Sequence, residues 1–337
     1  MSGGITQLIA IGAQDTHIVG NPEVSFFKST YRRHTNFSHV VDRQTIQGNP
    51  ATGGMSTIRI ERKGDMLGYM YFTVKDTSGT PESNVIDPGL FSRVELLIGG
   101  QVIDDQDDTF IRKIASQLLV GTNGKAVNFN NTSKFYPLHF FFCESWQSAL
   151  PLIALQYHDV EIRITWGIVL PNRQIECFAD FVYLDTAERD MMAAQPIDML
   201  ITQTQKANMS RTTVQEMSFN HPVKFLASDS NLVASPTTST LKLQLNGTDV
   251  SNPRTYDPHF TTVQVYHHCP HQVTGIQFLY PFCLDTNKSQ PSGTLNFSRI
   301  DTARFVSDAK FENANIYAVN YNILRIQNGM GGLMYAN

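Results

Sequence analysis

Short runs of alternating or β-branched residues, each closed by Gly, Pro, Asn or Asp, recur from residue 40 to residue 326. Runs of this length and composition are typical of strands in a sheet with one buried face. They form two groups of about eight, which is enough strands for one sandwich each, on either side of a polar stretch at 185–210. The chain is therefore predicted to be all-β, with two consecutive eight-stranded jelly-roll β-sandwiches, a double jelly roll.

The strand predictions are specific enough to be compared with a structure. The first group comprises 40–47, 56–62, 69–75, 92–98, 138–142, 160–166 and 178–184. The second group comprises 213–219, 224–226, 241–245, 262–266, 275–279, 294–298, 304–311 and 316–326. Gly99 and Gly100 separate two of the runs and predict a two-residue hairpin, because glycine readily adopts the positive φ that such a turn needs.

One segment has helical rather than strand periodicity. Residues 108–119 place Phe110, Ile111, Ile114, Ala115, Leu118 and Leu119 on one stripe. Asp108 is predicted to cap this helix and Gly121 to end it. A second, short helix is predicted before Pro196, inside the polar connection. The predicted organisation is an N-terminal arm at 1–24, a first jelly roll at 25–208 and a second at 209–337.

Charged residues make up 17% of the chain, below the roughly 25% of an average soluble domain. A deficit of charge is characteristic of the centre of protein interfaces, so the composition favours assembly with other subunits. The formal net charge of −4 argues against a dominant electrostatic attraction to nucleic acid or to an anionic membrane. The four widely spaced cysteines indicate reduced thiols, and the absence of a long apolar run or signal peptide indicates a soluble, non-secreted protein.

Several clusters have both a chemical and a structural interpretation. The basic and aromatic run 30–37 could contact phosphates and bases, but a packed inner-face segment is favoured. His267, His268, Cys269 and His271 could hold zinc or copper, but they lack the spacing of a finger and are predicted at a strand end. The acidic residues Asp104, Asp105, Asp107 and Asp108 lack the pattern of a calcium loop and favour the start of the following helix.

Catalytic candidates are weaker still. A glycosidase pair could be drawn from Glu144, Asp159, Glu161 and Glu176, but nothing in the sequence pairs them. No nucleophile elbow is present, and the glycines at 329, 331 and 332 lack the remainder of a phosphate loop, so they are predicted to make a tight turn. Seven Asn-x-Ser/Thr acceptors occur, of which Asn130, Asn246 and Asn287 are the named glycosylation candidates; without a signal peptide they are expected to be mostly bare.

Longer passages resemble the double jelly-roll major capsid proteins of nucleocytoplasmic large DNA viruses, including those of phycodnaviruses, mimiviruses and iridoviruses. Near the N-terminus the resemblance lies in IGAQDTHIVGNPEVSFFKSTYRRHTNFS, and its motif residues are Gly20, Asn21, Pro22, Phe26, Phe27, Arg32 and Arg33. In the middle it lies in LQYHDVEIRITW, FVYLDTAERDMMAA, FNHPVKFL and LQLNGTD.

The C-terminal third carries the most specific part of this resemblance. In QPSGTLNFSRID the motif residues are Gln290, Pro291, Ser292, Gly293, Asn296, Phe297, Ser298, Arg299 and Asp301. In IYAVNYNILRIQNGMGGLMYAN they are Asn320, Tyr321, Gly329, Gly331 and Gly332.

The resemblance implies a structural protein of the virion: a pseudo-hexameric homotrimer that forms the capsomers of an icosahedral shell. It implies neighbouring capsomers, penton proteins and minor capsid proteins as partners, an internal membrane beneath the shell as a further one, and assembly in the cytoplasm of an infected eukaryotic host cell. It implies no enzyme activity, cofactor, metal or sequence-specific nucleic-acid binding. The alternative that the residues leave open is a carbohydrate-binding, lectin-like β-sandwich, and a glycosidase on the same sandwich ranks third.

Overall fold

A computed structural model describes residues 3–77, 86–120 and 134–336. The chain divides into two compact units, Met1–Asn36 and Phe37–Asn337. In the smaller unit, the helices α1 (Gly3–Ile9) and α2 (Thr16–Val19) have no buried residues. Gly20 follows α2, and its ideal Cβ would lie 2.3 Å from the Thr16 carbonyl oxygen, so a side chain there would clash.

In the described residues, the larger unit begins with a sandwich of ten strands. They are β1 (Phe37–Gln44), β2 (Ile46–Gln47), β3 (Met55–Arg59), β4 (Met66–Asp76), β5 (Phe91–Ile98), β6 (Gln101–Asp107), β7 (Phe135–Pro137), β8 (Leu150–Pro151), β9 (Val160–Trp166) and β10 (Arg173–Leu184). The helical turns between them are a π-helical turn Phe110–Ala115, α3 (Ser116–Leu118), α4 (Phe141–Glu144) and two 3-10 turns, Trp146–Ser148 and Leu152–Ala154. We call 110–118 the first lateral helix.

Helix α5 (Thr186–Ala194) leads into the second sandwich. Its strands are β11 (Ile197–Asn208), β12 (Val214–Met217), β13 (Pro222–Ser228), β14 (Thr240–Leu245), β15 (Thr248–Asp249), β16 (Arg254–Thr255), β17 (Phe278–Pro281), β18 (Leu295–Asn296), β19 (Ala303–Ser307), β20 (Asn315–Gln327) and β21 (Met330–Leu333). Its helical turns are α6 (Tyr256–Pro258), a π-helical turn His259–Val263, α7 (Gln264–His268) and a 3-10 turn Phe297–Arg299. We call 256–268 the second lateral helix.

The same strand order occurs in both sandwiches. The first sheet has the order β1-β10-β4-β7 and the third sheet the order β11-β20-β13-β17. The second sheet is β2-β3-β9-β5-β6 and the fourth is β12-β19-β14-β15, with β16 also on β14. Neighbouring strands are antiparallel, and the first strand of each sandwich pairs with a strand at or near its end, β1 with β10 and β11 with β20, as in a jelly roll. The predicted double jelly roll is confirmed.

Several local predictions are also confirmed. Strands β9 and β14 match the predicted 160–166 and 241–245 closely. At the predicted hairpin, Gly99 and Gly100 have φ values of 57° and 82°, and Ile98 pairs with Gln101. The striped helix exists, although much of it is wound as a wider π-helix.

Other local predictions are wrong. The segment predicted as strand 138–142 enters α4, and the predicted strand 262–266 lies in the second lateral helix. The carboxylate at the start of the first lateral helix is Asp107, whose Oδ1 accepts a hydrogen bond from the Phe110 amide at 2.8 Å; Asp108 instead accepts one from the Tyr136 hydroxyl. Gly121 lies outside the described residues.

Strand β11 was also missed, because 197–208 was predicted as part of a connection. It pairs along its whole length with β20, from Ile197 opposite Ile326 to Asn208 opposite Asn315. This pairing puts β11 in the third sheet, within the sequence range that was assigned to the first jelly roll.

An aromatic cluster forms the centre of the first core. The Phe91 ring lies 4.4 Å from that of Tyr136, 4.9 Å from that of Phe72 and 5.4 Å from that of Trp166, measured between centroids. The Trp166 indole donates a hydrogen bond to the Ser56 hydroxyl at 2.8 Å, so its one polar atom is satisfied inside the core.

Candidate assembly surfaces

The third sheet is buried on both faces because the first lateral helix covers its outer face. Leu226 and Ala318 face the core of the second sandwich, whereas Phe225 and Tyr317 pack into the core of the first. The centroids of the Phe110 and Tyr317 rings are 5.7 Å apart. One sandwich therefore docks on the other by laying a helix across a sheet.

Asp107 is the main polar link between the two sandwiches. Its Oδ2 accepts hydrogen bonds from Lys206 Nζ and from the Tyr317 hydroxyl, both at 2.7 Å. Burial raises the pKa of Tyr317, so this hydroxyl stays protonated and remains a donor. Since Asp107 also caps the first lateral helix, one carboxylate joins that helix to two strands of the other sandwich.

The edges of β6 and β11 make further contacts nearby. The Thr204 amide donates to Asp104 Oδ1 at 2.8 Å, and the Gln203 side chain donates to the Ile103 carbonyl. On the other side of the first lateral helix, Lys113 and Asp229 form an ion pair at 2.7 Å. The contact between the sandwiches is thus apolar at its centre and polar at its margins, as in a stable protein interface.

Asp104 is buried, with 4% of its surface exposed. Burial raises its pKa to about 7, although hydrogen bonds from the Thr204 amide, the Gln106 side chain and the Asp105 amide favour the carboxylate. Near neutral pH this group is therefore balanced between its two protonation states.

The raised pKa of Asp104 predicts how stability changes with pH. Between about pH 4 and pH 7 the folded chain keeps a proton that the unfolded chain releases, so the contribution of Asp104 to stability falls as the pH rises. Relative to wild type, Asp104→Asn is expected to gain of the order of 3 kcal/mol in free energy of unfolding between pH 4 and pH 8. Urea unfolding at both pH values measures this change.

Asp198→Asn is the control of opposite sign, because hydrogen bonds from Arg325 lower the pKa of Asp198. This variant should lose stability relative to wild type as the pH rises from acid. A constant offset that is added to the pH-dependent change would reflect the altered hydrogen bond with Gln106. A difference between Asp104→Asn and wild type that does not change with pH would contradict the raised pKa.

The outer face of the first sheet is an aromatic surface. Tyr71 stacks on Phe178 with centroids 5.3 Å apart, and Tyr69 meets the edge of Trp146 at 5.8 Å. Trp146 is 56% exposed. Tyr69, Tyr71 and Trp146 border a groove with a cavity of about 760 Å³. We call this surface, formed by Tyr69, Tyr71, Phe178 and Trp146, the aromatic face.

A buried carboxylate lies beneath the aromatic face. Asp180 is 0% exposed, and its Oδ1 lies 3.1 Å from His39 Nδ1. Burial raises the pKa of Asp180. Gly68 lies directly beside it, since an ideal Cβ there would be 3.1 Å from Asp180 Oδ2 and 3.3 Å from the Trp146 ring. The small residue lets the indole lie close over this carboxylate.

The second lateral helix exposes part of its apolar surface. Phe260 points into the core of its own sandwich and is 2% exposed. Val263 and Tyr266, three residues apart on one stripe, are 37% and 79% exposed. In the first lateral helix, by contrast, every residue except Lys113 is buried.

The N-terminal motif residues lie in the smaller unit and are exposed. They are Gly20, Asn21, Pro22, Phe26, Phe27, Arg32 and Arg33. Phe26 and Phe27 are 92% and 101% exposed, and Asn21 has a positive φ of 51°. Large apolar side chains at this exposure are typical of a surface that another molecule covers.

The motif residues at 290–301 hold loops of the second sandwich. The Ser298 hydroxyl accepts from the His221 amide at 2.8 Å, and Asn296 Oδ1 accepts from the Ser298 amide. Phe297 is buried in the second core, and Asp301 donates its amide to Asn246 Oδ1. Gln290, Pro291, Gly293 and Arg299 are exposed, and Ser292 is half-buried.

The remaining motif residues lie on β20 and in the hairpin that follows it. Asn320 is 0% exposed, and its Oδ1 accepts from the Gln205 side chain at 2.8 Å. The Tyr321 ring lies under Lys224 Nζ at 5.8 Å. Gly329 has a φ of 78°, and ideal Cβ atoms at Gly329 and Gly331 would lie 2.6 Å from Tyr157 and Leu155 respectively. The predicted tight turn is confirmed at Gly329, but Gly331 and Gly332 lie in β21, where they pair with Ile326 and Arg325.

The clusters with a chemical interpretation are held by structural contacts. His268 Nδ1 lies 2.9 Å from the Cys283 carbonyl and His271 Nε2 lies 2.7 Å from that of Gln117, both in or after a helix rather than at a strand end. Within 3–77, 86–120 and 134–336, no three His, Cys, Asp or Glu side chains are grouped to hold a metal ion. No helix in these ranges is long and apolar enough to cross a membrane.

The glycosidase candidates each meet a basic group instead of another carboxylate. The pairs are Glu144 with His139, Asp159 with Arg59, Glu161 opposite Arg59 on β3, and Glu176 with Lys75. Of the sequons, Asn130 lies outside the described residues. Asn246 forms the turn between β14 and β15 and is exposed, and Asn287 is half-buried.

Sequence reasoning missed the burial of Asp104 against β11, the links of Asp107 to Lys206 and Tyr317, and the aromatic face. One signal was available for the aromatic face: MLGYMYFTV, at 66–74, is apolar at both alternating sets of positions. A strand that is apolar on both faces predicts a sheet covered on both sides. No comparable signal marks Asp104, since its burial depends on a strand about a hundred residues later.

Comparisons with known proteins agree with this architecture. A family model described as "Major capsid protein N-terminus" matches residues 25–172, and "Large eukaryotic DNA virus major capsid protein" matches 227–332. The chain is 36% identical to the major capsid protein of Pyramimonas orientalis virus over the full length of both. It belongs to the major capsid proteins of large eukaryotic DNA viruses. It is also 32% identical to the major capsid protein of Paramecium bursaria Chlorella virus 1, again over both full lengths.

Solved structures extend the comparison to the fold of this capsid protein. A chain of the PBCV-1 virus capsid superposes with a TM-score of 0.79 at 29% identity, over 93% of this chain and all of the other. The Faustovirus major capsid protein superposes with a TM-score of 0.66 at 11% identity, covering 94% of both chains, which shows the fold alone. The protein is therefore a structural component of a virion shell and not an enzyme, and the comparisons favour the capsid function over the lectin alternative.

Proposed function

We propose that this capsid protein forms a homotrimer with a pseudo-hexagonal outline, and that such capsomers tile an icosahedral shell. The observation that carries the proposal is the shared strand order of the two sandwiches, because three two-lobed chains bring six similar lobes to one ring. Closing a hexagonal layer needs different units at the fivefold corners, so neighbouring capsomers, penton proteins and minor capsid proteins are the proposed partners. Assembly takes place in the cytoplasm of an infected eukaryotic cell, above an internal membrane.

The mass of the purified protein in solution tests the trimer. Light scattering is expected to give about three times 37.8 kDa, and negative-stain images of the same peak should have a hexagonal outline. A stable monomer across the micromolar range would contradict the proposal.

We further propose that the boundary between the two jelly rolls lies between α5 and β11 rather than at 208/209. The pairing of β11 with β20 supports this position. The second jelly roll then starts at β11, which is the counterpart of β1 at the start of the first.

The motif residues at 290–301 and 320–332 are proposed to stabilise the second sandwich rather than to bind a ligand. Their hydrogen bonds to His221, Gln205 and Asn246 support this role. Asn246, Asn287 and Asn130 are proposed to stay bare; the support for Asn246 is that its side-chain oxygen accepts a hydrogen bond from the Asp301 amide.

The exposed arm is proposed to connect capsomers in the lattice. Deleting residues 1–24 is expected to leave trimers intact but to prevent lattice formation, because Leu8 and Ile18 are 75% and 83% exposed and lie in no core. Light scattering measures the trimer and negative-stain microscopy measures the lattice.

A length-matched control distinguishes the effect of the apolar side chains from the effect of the length of the arm. It carries serine in place of Leu8, Ile9, Ile11 and Ile18. If the apolar side chains make the contact, this variant should fail like the deletion. Normal lattices from the deleted chain would rule out the role of the arm.

A further inference from the structure

We propose that the aromatic face of the first sheet is the docking site for the second lateral helix of a neighbouring copy of this chain. The proposal deepens the trimer proposed above by naming the two surfaces that meet. It rests on the contact already present inside each chain, where the first lateral helix covers the third sheet.

The two lateral helices occupy the same place in their sandwiches. Each follows the outermost strand of its sheet, namely β6 in the first sandwich and β16 in the second. Each contains a π-helical turn, Phe110–Ala115 or His259–Val263, that continues as an α-helical turn. Each buries one phenylalanine, Phe110 at 0% exposure and Phe260 at 2%. The second lateral helix therefore occupies the position in its own sandwich that corresponds to that of the first lateral helix, which covers the third sheet.

The cross-strand pairs of the first sheet also correspond to those of the third sheet. In the third sheet, a basic residue, an aromatic residue and an apolar residue are paired side by side: Lys206, Tyr317 and Ala227. In the first sheet, the three corresponding strands β1, β10 and β4 carry Arg43, Phe178 and Tyr71. A bulge interrupts the pairing a few residues further along in both sheets. Phe178 of the aromatic face thus takes the place of Tyr317, the residue that receives the first lateral helix.

The difference between the two places lies in what covers them. Tyr317 is 1% exposed under the first lateral helix, whereas its counterpart Phe178 is half-buried. Near Phe178, Trp146 on the aromatic face is 56% exposed and Val41 on β1 is 37% exposed. On the second lateral helix, Val263 and Tyr266 form an exposed stripe. The chain therefore has a second sheet face, the aromatic face, and a second lateral helix that do not contact each other within one chain. Only a second copy can bring these two surfaces together in the geometry of the contact within the chain.

Charge complementarity points to the same pairing. In the contact within the chain, Lys206 on the sheet meets Asp107 at the start of the first lateral helix. Arg43 takes the place of Lys206, and Asp257 lies at the start of the second lateral helix. We therefore expect Arg43 of one copy to approach Asp257 of the next.

Such a contact is heterologous, since a sheet on one copy meets a helix on the next. A heterologous contact that repeats around an axis closes into a ring. The contact within each chain and the proposed contact between chains both place a lateral helix on a sheet. Three chains therefore give a ring of six similar helix-on-sheet contacts.

Two variants and their mixture test the docking. The face variant is Tyr71→Lys, and the helix variant is Val263→Lys with Tyr266→Lys. Ile168→Lys is the matched control, because Ile168 is 60% exposed in the loop between β9 and β10, away from both surfaces. Circular dichroism and thermal unfolding confirm that each variant is folded before its mass is measured by light scattering.

The expected result is a trimer for wild type and control, and a monomer for each variant at the same concentration. Loss of an aromatic anchor should weaken the contact by about 30-fold or more. In an equal mixture, the intact face of the helix variant can meet the intact helix of the face variant. The mixture should therefore give a particle of about twice 37.8 kDa, which neither variant forms alone.

Each other outcome has a separate meaning. Variants that remain trimers would overturn this docking and leave the trimer standing, with the aromatic face covered by something else, such as the arm. Variants that become monomers but give no dimer when mixed would overturn the heterologous pairing. A monomeric wild type would overturn the trimer itself and, with it, the docking.

Discussion

Replacing Phe91 by alanine is expected to lower the free energy of unfolding by about 3–5 kcal/mol. Phe91 is 1% exposed, and its ring contacts those of Phe72, Tyr136 and Trp166. Its removal loses apolar burial and leaves a cavity that three rigid rings cannot readily fill. Urea unfolding followed by tryptophan fluorescence measures the change, because Trp166 lies in the same cluster.

The control for Phe91→Ala is Phe27→Ala, the same substitution at a side chain that is 101% exposed. Its effect should stay within about 0.5 kcal/mol of wild type. If Phe91→Ala lowered the free energy of unfolding as little as this control, the aromatic cluster would not be the rigid centre of the core of the first sandwich. The packing described between the first and second sheets would then be wrong.

The sequence was sufficient to predict the elements whose pattern is local. The alternation in 160–166 and 241–245 reflects one buried face of a strand, and the paired glycines at 99 and 100 meet the φ requirement of a tight hairpin. The double jelly roll followed from the number of such runs and was made specific by the resemblance to capsid proteins. The single strands and the hairpin do not depend on which distant strands become neighbours, whereas the strand order of the jelly rolls does.

The predictions failed where distant contacts decide the structure. The β-branched run 262–266 favours a strand by composition, yet it is a helix with Val263 and Tyr266 on one exposed stripe. Strand β11 is polar, because Gln203 and Thr204 bind β6 of the other sandwich rather than filling a core. A polar strand of this kind has the composition of a linker until its partners are known.

The assembly surfaces were the least predictable part, for a related reason. Tyr69 and Tyr71 alternate with buried Met70 and Phe72, so the sequence of β4 is apolar on both faces. That pattern indicates a covered sheet without identifying the cover. The cover becomes apparent only when Phe178 is seen to occupy the same position as Tyr317, which requires the registers of two sheets far apart in the chain.

Replacing Asp107 by alanine is expected to destabilise the contact between the two sandwiches by about 3 kcal/mol or more. The change removes the shared acceptor of Lys206, Tyr317 and the Phe110 amide. The cost comes from Tyr317 and Phe110, which are 1% and 0% exposed, whereas the Lys206 side chain is 43% exposed. Because the lost interactions join the sandwiches rather than hold either one, unfolding in urea should separate into two transitions. Lys206→Ala and the double variant complete a cycle, and we expect a coupling of about 0.5–3 kcal/mol between the two side chains.

Asp249→Ala is the matched control for Asp107→Ala. Asp249 also accepts from a lysine, Lys242 at 2.7 Å, but its side chain is 42% exposed and belongs to one sandwich. Ion pairs at such exposure contribute about 0–1 kcal/mol. A cost of Asp107→Ala no larger than that of this control, with a single unfolding transition, would show that the helix-on-sheet packing of Phe110 and Tyr317 joins the sandwiches without the carboxylate. The same packing, repeated between copies, would then have to hold the capsomer together through its aromatic side chains alone.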